Sequence, residues 1–189
     1  FTPKWHAASK RLLGIGHTVR YRDDQLLPAN TRRRETAYAL YDAARHEWGA
    51  WRPLVMPDEP RFQNAGAGSI QWTELPDGAI LVPIYFKPLG NEPFRSVVLR
   101  CRLEGNTLRV DQIGAPVAVP VARGVYEPSL VQYGGRYFLT LRNDEAGYVS
   151  VSDDGLNFSA PVAWTWDDGT PLGNYNTQQH WVAHARGLY

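Results

Sequence analysis

Three side chains that could bind or transform a substrate recur at one fixed distance after a turn. His17, Tyr85 and Arg142 each lie seven residues after the turn residue that precedes their strand, and those turn residues are Lys10, Gly78 and Gly135. A histidine transfers protons near neutral pH, and a planar guanidinium holds a carboxylate through two parallel hydrogen bonds. The equal spacing predicts that the three side chains occupy equivalent places in successive units.

Two further polar residues share a second spacing. Glu127 lies eight residues before Gly135, and Gln179 lies eight residues before Gly187. A glutamate close to a tyrosine can accept the phenol proton and make the oxygen nucleophilic. We therefore expect five polar side chains to converge, with Glu127 and His17 as the catalytic candidates. The candidates for substrate binding are Arg142, Arg20, Tyr85, Gln179, His180, Asn64 and His6, of which His6 is expected to begin an inner strand.

These residues also have ordinary structural interpretations. Glu127 could pair with an arginine at the start of a strand, and Arg142 could bridge to Asp144 or Glu145 on the surface. His17 could satisfy backbone carbonyl groups, and Tyr85 could serve in packing.

The elements that position the candidates are short strands in a repeat. The four turn anchors lie 68, 57 and 52 residues apart, and strong strand formers follow each turn. Four strands are predicted in each complete unit. They are 4–8, 11–20, 35–42 and 51–55 in the first, 68–74, 79–86, 96–103 and 107–113 in the second, and 127–133, 136–143, 147–152 and 162–166 in the third.

Four-stranded units at similar spacing predict an all-β propeller with about three blades and the start of a fourth. The blades are expected at 1–58, 64–120 and 126–172, and the next begins at 176–189. The innermost strands line a central axis, and the site lies where inner strands begin and second strands end. Three blades do not close a ring, so we expect missing blades from the rest of a longer chain or from another copy.

Composition excludes several classes. The net charge is +1 over 189 residues, which gives no strong field for nucleic acid. The run Arg32-Arg33-Arg34 is interpreted as a solvated loop. Cys101 is the single cysteine, so an internal disulfide is impossible. No metal-ligand spacing or phosphate loop occurs, and we expect no cofactor, no nucleic acid partner and no membrane span.

The stretch Ser152-Asp153-Asp154-Gly155-Leu156-Asn157-Phe158 resembles the Asp-box (BNR repeat) of sialidase-like (neuraminidase-like) propellers. The segments 126–143 and 65–83 are similar to recurrent inner-blade segments of that superfamily. The resemblance implies a six-bladed propeller in full and a secreted or periplasmic location. It also implies that Glu127 partners a tyrosine nucleophile and that Arg142 belongs to an arginine triad that grips the substrate carboxylate. The nucleophile and the third arginine would lie beyond Tyr189, and no acid/base aspartate can be placed.

The resemblance implies a glycoside hydrolase that cleaves a terminal, acidic sugar from a glycan, with a carbohydrate as its partner. Two alternatives stay open. One is a polysaccharide lyase on the same propeller, with histidine and tyrosine as base and acid. The other is a propeller that only binds glycans or proteins.

Overall fold

The computed structural model describes residues 1–28, 33–68, 70–88, 92–173 and 177–189. Within these ranges the regular structure is β, apart from a 3-10 helix at Pro60–Phe62. No described helix is long and apolar enough to cross a membrane.

The first sheet has the order β1-β2-β5-β6, with β7 also paired to β5. A separate hairpin, β3-β4, branches from the connection between β2 and β5. The strands are β1 Thr2–His6, β2 Arg11–His17, β3 Tyr21–Arg22, β4 Gln25–Leu26, β5 Thr36–Asp42, β6 Glu47–Trp48 and β7 Arg52–Pro53.

The second sheet has the order β12-β11-β10-β8, and β9 also pairs with β10. The third sheet has the order β13-β14-β15-β16, and the pair β17-β18 follows it along the chain. The strands are β8 Ala65–Gly66, β9 Thr73–Glu74, β10 Ile80–Phe86, β11 Arg95–Glu104, β12 Thr107–Ile113, β13 Tyr126–Tyr133, β14 Arg136–Arg142, β15 Gly147–Ser152, β16 Val162–Ala163, β17 Ala183–His184 and β18 Gly187–Leu188.

The fold is a partial β-propeller, as predicted. One apolar cluster, including Leu13, Trp72 and Leu99, joins the first and second sheets. Another, including Leu81, Leu130 and Leu139, joins the second and third. Because the second sheet is covered on both faces, β10 is buried along its whole length.

The inner strands also touch one another near the axis. The Leu130 amide donates to the Gln71 carbonyl across the second and third sheets at 3.0 Å. The Gln71 side-chain amide donates to the Trp181 carbonyl at 2.8 Å and accepts from the Trp181 amide at 2.6 Å. Gln71 therefore ties the segment that follows the third sheet to the second sheet.

Several predicted strand limits are wrong. Among its described residues, the inner segment 68–74 of the second blade is strand only at Thr73–Glu74, preceded by the short β8. Gly68 has a φ of +69°, a left-handed conformation that interrupts regular strand pairing. The first inner strand ends at His6 instead of continuing to Ala8.

The turn at Ser152–Phe158 and the residue Arg142 lie at opposite ends of the third sheet. Ser152, at the end of β15, pairs with Tyr137, whereas Gly147, at the start of β15, pairs with Arg142. The Asp154 carboxylate accepts from the Leu156 and Asn157 amides at 2.8 and 2.7 Å. Burial alone would raise the pKa of Asp154, but these bonds and those from Asn157 and Ser152 side chains hold it well below its usual range.

Candidate functional site

The second strand of each sheet brings one candidate residue to the same end of the molecule. His17 ends β2 and Arg142 ends β14, and Tyr85 is the penultimate residue of β10. The His17 and Tyr85 rings meet edge to face, with centroids 6.3 Å apart. Tyr85 in turn lies 6.2 Å from the Tyr126 ring, which is 5.0 Å from the Arg142 guanidinium carbon.

Glu127 enters this end from the inner strand of the third sheet. Tyr126 pairs with Arg142, but the register shifts between Tyr126 and Ser129, so a β-bulge falls on Glu127. Its φ is +49°, in the left-handed region, which is costly for a residue with a Cβ atom. Such strained backbone is concentrated at functional sites, where it directs a side chain that regular pairing would point elsewhere.

The bulge joins Glu127 to Arg142. The Arg142 Nη1 atom donates to Glu127 Oε2, and both side chains are mostly shielded from solvent, at 17% and 24% exposure. A charge-assisted bond in this setting is stronger than a surface ion pair. The pair holds the Glu127 carboxylate and the Arg142 guanidinium against each other.

Three of the candidates surround Gly68. A Cβ atom at Gly68 would lie 3.5 Å from the Tyr85 ring, 3.6 Å from Glu127 Cγ and 3.9 Å from His17 Nδ1, all ordinary contact distances. His17, Tyr85 and Glu127 therefore approach one position from three different strands, and it is the φ of +69° that favours glycine there.

Aromatic rings form the floor of the site. Tyr85, Phe94 and Tyr126 make up a separate buried cluster, with centroids 5.6–6.2 Å apart. Burial raises the pKa of Tyr85, and the charge of Glu127 raises it further, although the guanidinium of Arg34 opposes the shift. Tyr85 is therefore a neutral phenol at physiological pH, suited to donate a proton or a hydrogen bond.

Tyr126 is hydrogen-bonded to a second ion pair, which joins Arg123 and Asp144. Its hydroxyl donates to Asp144, and the Arg123 Nη1 atom donates to the two Asp144 oxygens at 2.9 and 3.1 Å. Burial first, and then the bond to Asp144, raises the pKa of Tyr126 to about 12. The bonds from Tyr126 and Arg123 hold the pKa of Asp144 below its usual range. The Arg123 guanidinium carbon lies 4.6 Å from the Tyr126 ring, within cation–π range.

Arg34 adds a third guanidinium to the site. Its guanidinium carbon lies 5.3 Å from the Tyr85 ring and 5.4 Å from the Phe94 ring. The predicted candidate Asn64 fixes it, because Asn64 Oδ1 accepts from the Arg34 backbone amide at 3.1 Å and from Nη1 at 3.5 Å. A Cβ atom at Gly66 would lie 2.9 Å from the His17 Cβ and 3.2 Å from the Arg34 Cβ, so Arg34 borders His17.

Gln179 lies beside the third sheet at the same end. Its side-chain amide contacts Gly147, where a Cβ atom would lie 2.5 Å from Gln179 Nε2. Gly147 is the strand partner of Arg142, and Thr140 Oγ1 donates to the Gln179 carbonyl at 3.3 Å. His180, the next residue, is exposed.

The structure does not bring His6 or Arg20 into this group. His6 pairs with Arg11 at the far end of β2 from His17, where its Nε2 contacts the Gly78 carbonyl at 2.9 Å. His6 ends an inner strand instead of beginning one, and we leave it out of the proposed site. Arg20 is paired with Glu35 on the outer rim, with half of its side chain exposed.

Sequence reasoning missed Arg34, Tyr126, Arg123 and Asp144. The interpretation of the basic run as a solvated loop is wrong for Arg34, which is half-buried against two aromatic rings, and Arg32 lies outside the described residues. Tyr126 directly precedes Glu127, and this adjacency was the one local signal available. The sequence suggests Asp144 only as a surface partner of Arg142, whereas in the structure Asp144 accepts from Arg123 and Tyr126.

No protein-family model and no curated protein matches this sequence. Among solved structures, the chain is similar to Trypanosoma rangeli sialidase, at 15% identity and a TM-score of 0.59 over 97% of this chain and 31% of that chain. A complex of that sialidase with sialic acid gives 14% identity and a TM-score of 0.58, over 99% of this chain and 32% of that chain. The chain thus spans about a third of the length of these structures. At this level of identity the likeness establishes a sialidase-like fold.

Proposed function

We propose that this chain forms part of a glycoside hydrolase of the sialidase type, which cleaves a terminal acidic sugar from a glycan. The observation that carries the proposal is the Glu127–Arg142 pair, held by a strained bulge at the shared end of the sheets. The ion pair alone does not account for the left-handed backbone of Glu127. Strained backbone of this kind clusters at active sites and ligand-binding sites, which supports a functional role for Glu127.

The charges around the pair support an acidic ligand. The guanidinium groups of Arg34, Arg123 and Arg142 surround Tyr85 and Tyr126, against the carboxylates of Glu127 and Asp144. Aromatic faces bind the apolar face of a sugar ring, and guanidinium groups bind a carboxylate. In this proposal Arg142 binds the carboxylate of the substrate, and Glu127 accepts the phenol proton of a tyrosine. His17 and Gln179 line the pocket.

Variants of the full-length protein test the proposal. Glu127→Gln removes the charge and keeps the shape, so kcat on a fluorogenic acidic glycoside should fall about 100-fold to 10,000-fold. Arg142→Ala should lower kcat/KM on the same substrate, with little effect on binding of a neutral glycoside. Arg136→Ala is the matched control, because Arg136 begins the strand that Arg142 ends and is 57% exposed. Unchanged turnover in Glu127→Gln would contradict the catalytic proposal.

The edge-to-face contact of His17 with Tyr85 favours one alternative, a polysaccharide lyase with His17 as base and Tyr85 as acid. A lyase would release an unsaturated, ultraviolet-absorbing sugar, and a hydrolase would not. Analysis of the product by absorbance therefore separates the two chemistries. If the protein only binds glycans, it releases no product, and Glu127→Gln leaves affinity nearly unchanged.

A further inference from the structure

A cleft of about 500 Å³ borders the candidate site, between the first sheet and the segment that leads into the second. Its volume lies within the usual range for a ligand pocket. The cleft reaches Ala65, and the next residue, Gly66, pairs with Tyr85 of the site. Arg34 belongs to both places, since it lines the cleft and its guanidinium lies over the Tyr85 ring.

Arg34 differs from the other two guanidinium groups of the site in its charge balance. Arg142 is paired with Glu127 and Arg123 with Asp144. In the part of the chain that the structure describes, no carboxylate lies within ion-pair distance of Arg34, whose polar partner is the neutral Asn64 amide. A half-buried guanidinium stacked on two rings is pre-organised, and its charge is available to a ligand.

The lining of the cleft suits a sugar with an acidic substituent. One wall is apolar, from Leu54, Met56 and Phe62, and can cover the apolar face of a ring. Among the described residues that line the cleft, the polar wall carries the guanidinium groups of Arg20, Arg33 and Arg34 against one carboxylate, that of Glu35. Since Glu35 is already paired with Arg20, the remaining charge of the cleft is positive.

We propose that this cleft holds the sugar next to the cleaved bond, and that Arg34 binds an oxyanion on that sugar, either a carboxylate or a sulfate ester. This inference rests on the proposed function, because it assumes that the protein cleaves a glycosidic bond. Arg34 is therefore a specificity-determining residue that selects glycans acidic at two successive sugars.

The test uses the full-length protein and three disaccharides with the same terminal acidic sugar. The second sugar is neutral, sulfated or a uronate, and kcat and KM are measured for release of the terminal sugar. Wild type should prefer the sulfated or uronate substrate by about 10-fold to 100-fold in kcat/KM, mainly through KM, as expected for a charge-assisted contact. The preference should fall as salt is raised, and the arm that shows it identifies the oxyanion.

Arg34→Gln should abolish this preference, so that its kcat/KM values for the sulfated and uronate disaccharides become equal to its own value for the neutral disaccharide. Arg34→Lys keeps the charge and should retain part of the preference. Arg109→Gln makes the same change in net charge on an outer strand, at a side chain that is 67% exposed and paired with Glu104, and should behave as wild type. Thermal unfolding of each variant checks that the fold is kept.

Two kinds of failure can be told apart. If Arg34→Gln lowers activity equally on all three disaccharides, or if the preference survives in it, the Arg34 inference is overturned. If wild type releases no sugar from any of them, the hydrolase proposal fails, and calorimetric Kd values for the same three disaccharides then test Arg34 alone. Equal Kd values for neutral and acidic second sugars would overturn the inference there too.

Discussion

The left-handed backbone of Glu127 predicts an inverted order of stability for two substitutions. At ordinary strand positions glycine is less stable than alanine by roughly 0.5–1 kcal/mol, because it loses more backbone entropy on folding. At a φ of +49°, alanine carries a steric cost of roughly 1–2 kcal/mol that glycine avoids. Neither Glu127→Gly nor Glu127→Ala keeps the carboxylate, so the comparison isolates the backbone. We expect Glu127→Gly to be the more stable variant by about 1 kcal/mol.

Urea unfolding at neutral pH measures the difference. With a slope of about 1–3 kcal/mol per molar urea, the Glu127→Gly midpoint should lie roughly 0.3–1 M above that of Glu127→Ala. Gln132, an exposed residue of the same strand outside the left-handed region, provides the control. There Gln132→Ala should be more stable than Gln132→Gly by roughly 0.5–1 kcal/mol. If Glu127→Ala is as stable as Glu127→Gly, Glu127 is not strained, and the main support for its functional role is lost.

Three other predictions concern the frame of the site. Asn143→Ala should destabilise the chain by about 2–4 kcal/mol in urea unfolding, because the buried Asn143 amide donates to the Ala122 and Gly124 carbonyls at 2.9 and 2.7 Å and both would lose their partner. Asp154→Ala should lower the free energy of unfolding by about 1 kcal/mol at pH 7, because the Leu156 and Asn157 amides lose their acceptor. Because the folded pKa of Asp154 is depressed, its stabilisation is present above the unfolded value of 3.8 and declines as pH falls below it. Urea midpoints at pH 7 and pH 3 should therefore show a smaller gap at pH 3, and a constant gap would contradict the assignment. Burial raises the pKa of Cys101 to about 12, so a disulfide reagent should label it only after denaturant is added. Rapid labelling of the native chain would show that this strand opens.

The spacing of His17, Tyr85 and Arg142 was informative because a tight turn fixes the register of the strand that follows it. Seven residues of extended strand reach from one end of a blade to the other. Residues that lie the same number of positions after their turns therefore lie at equivalent places in their blades. Gln179 and Glu127, counted backwards from their turns, also lie at this end. The bulge at Glu127 was not predicted, although Pro128 inside the same strand is a residue type that favours strand edges and bulges.

His6 and Arg34 are two positions at which predictions from the spacing to a turn, or from local composition, fail. His6 lies only four residues before the Lys10 anchor, within reach of the turn, and it therefore falls at the wrong end of the sheet. Arg34 precedes its strand in a polar run, and its place is set by Tyr85 and Phe94, which belong to the neighbouring sheet. A contact between sheets leaves no periodic trace in either segment, so sequence reasoning assigned Arg34 to solvent.

The connection that follows the second strand of each sheet leaves from the same end of the molecule, and these connections differ greatly in length, covering 18–35, 87–94 and 143–146. The buried strands beneath them are nearly uniform. Insertions and deletions in these connections can therefore change which molecules are recognised without repacking the apolar layers. Proteins with this fold can therefore acquire different ligand specificities through changes in these three connections. Exchanging one connection between two such proteins should transfer ligand selectivity and leave the melting temperature nearly unchanged.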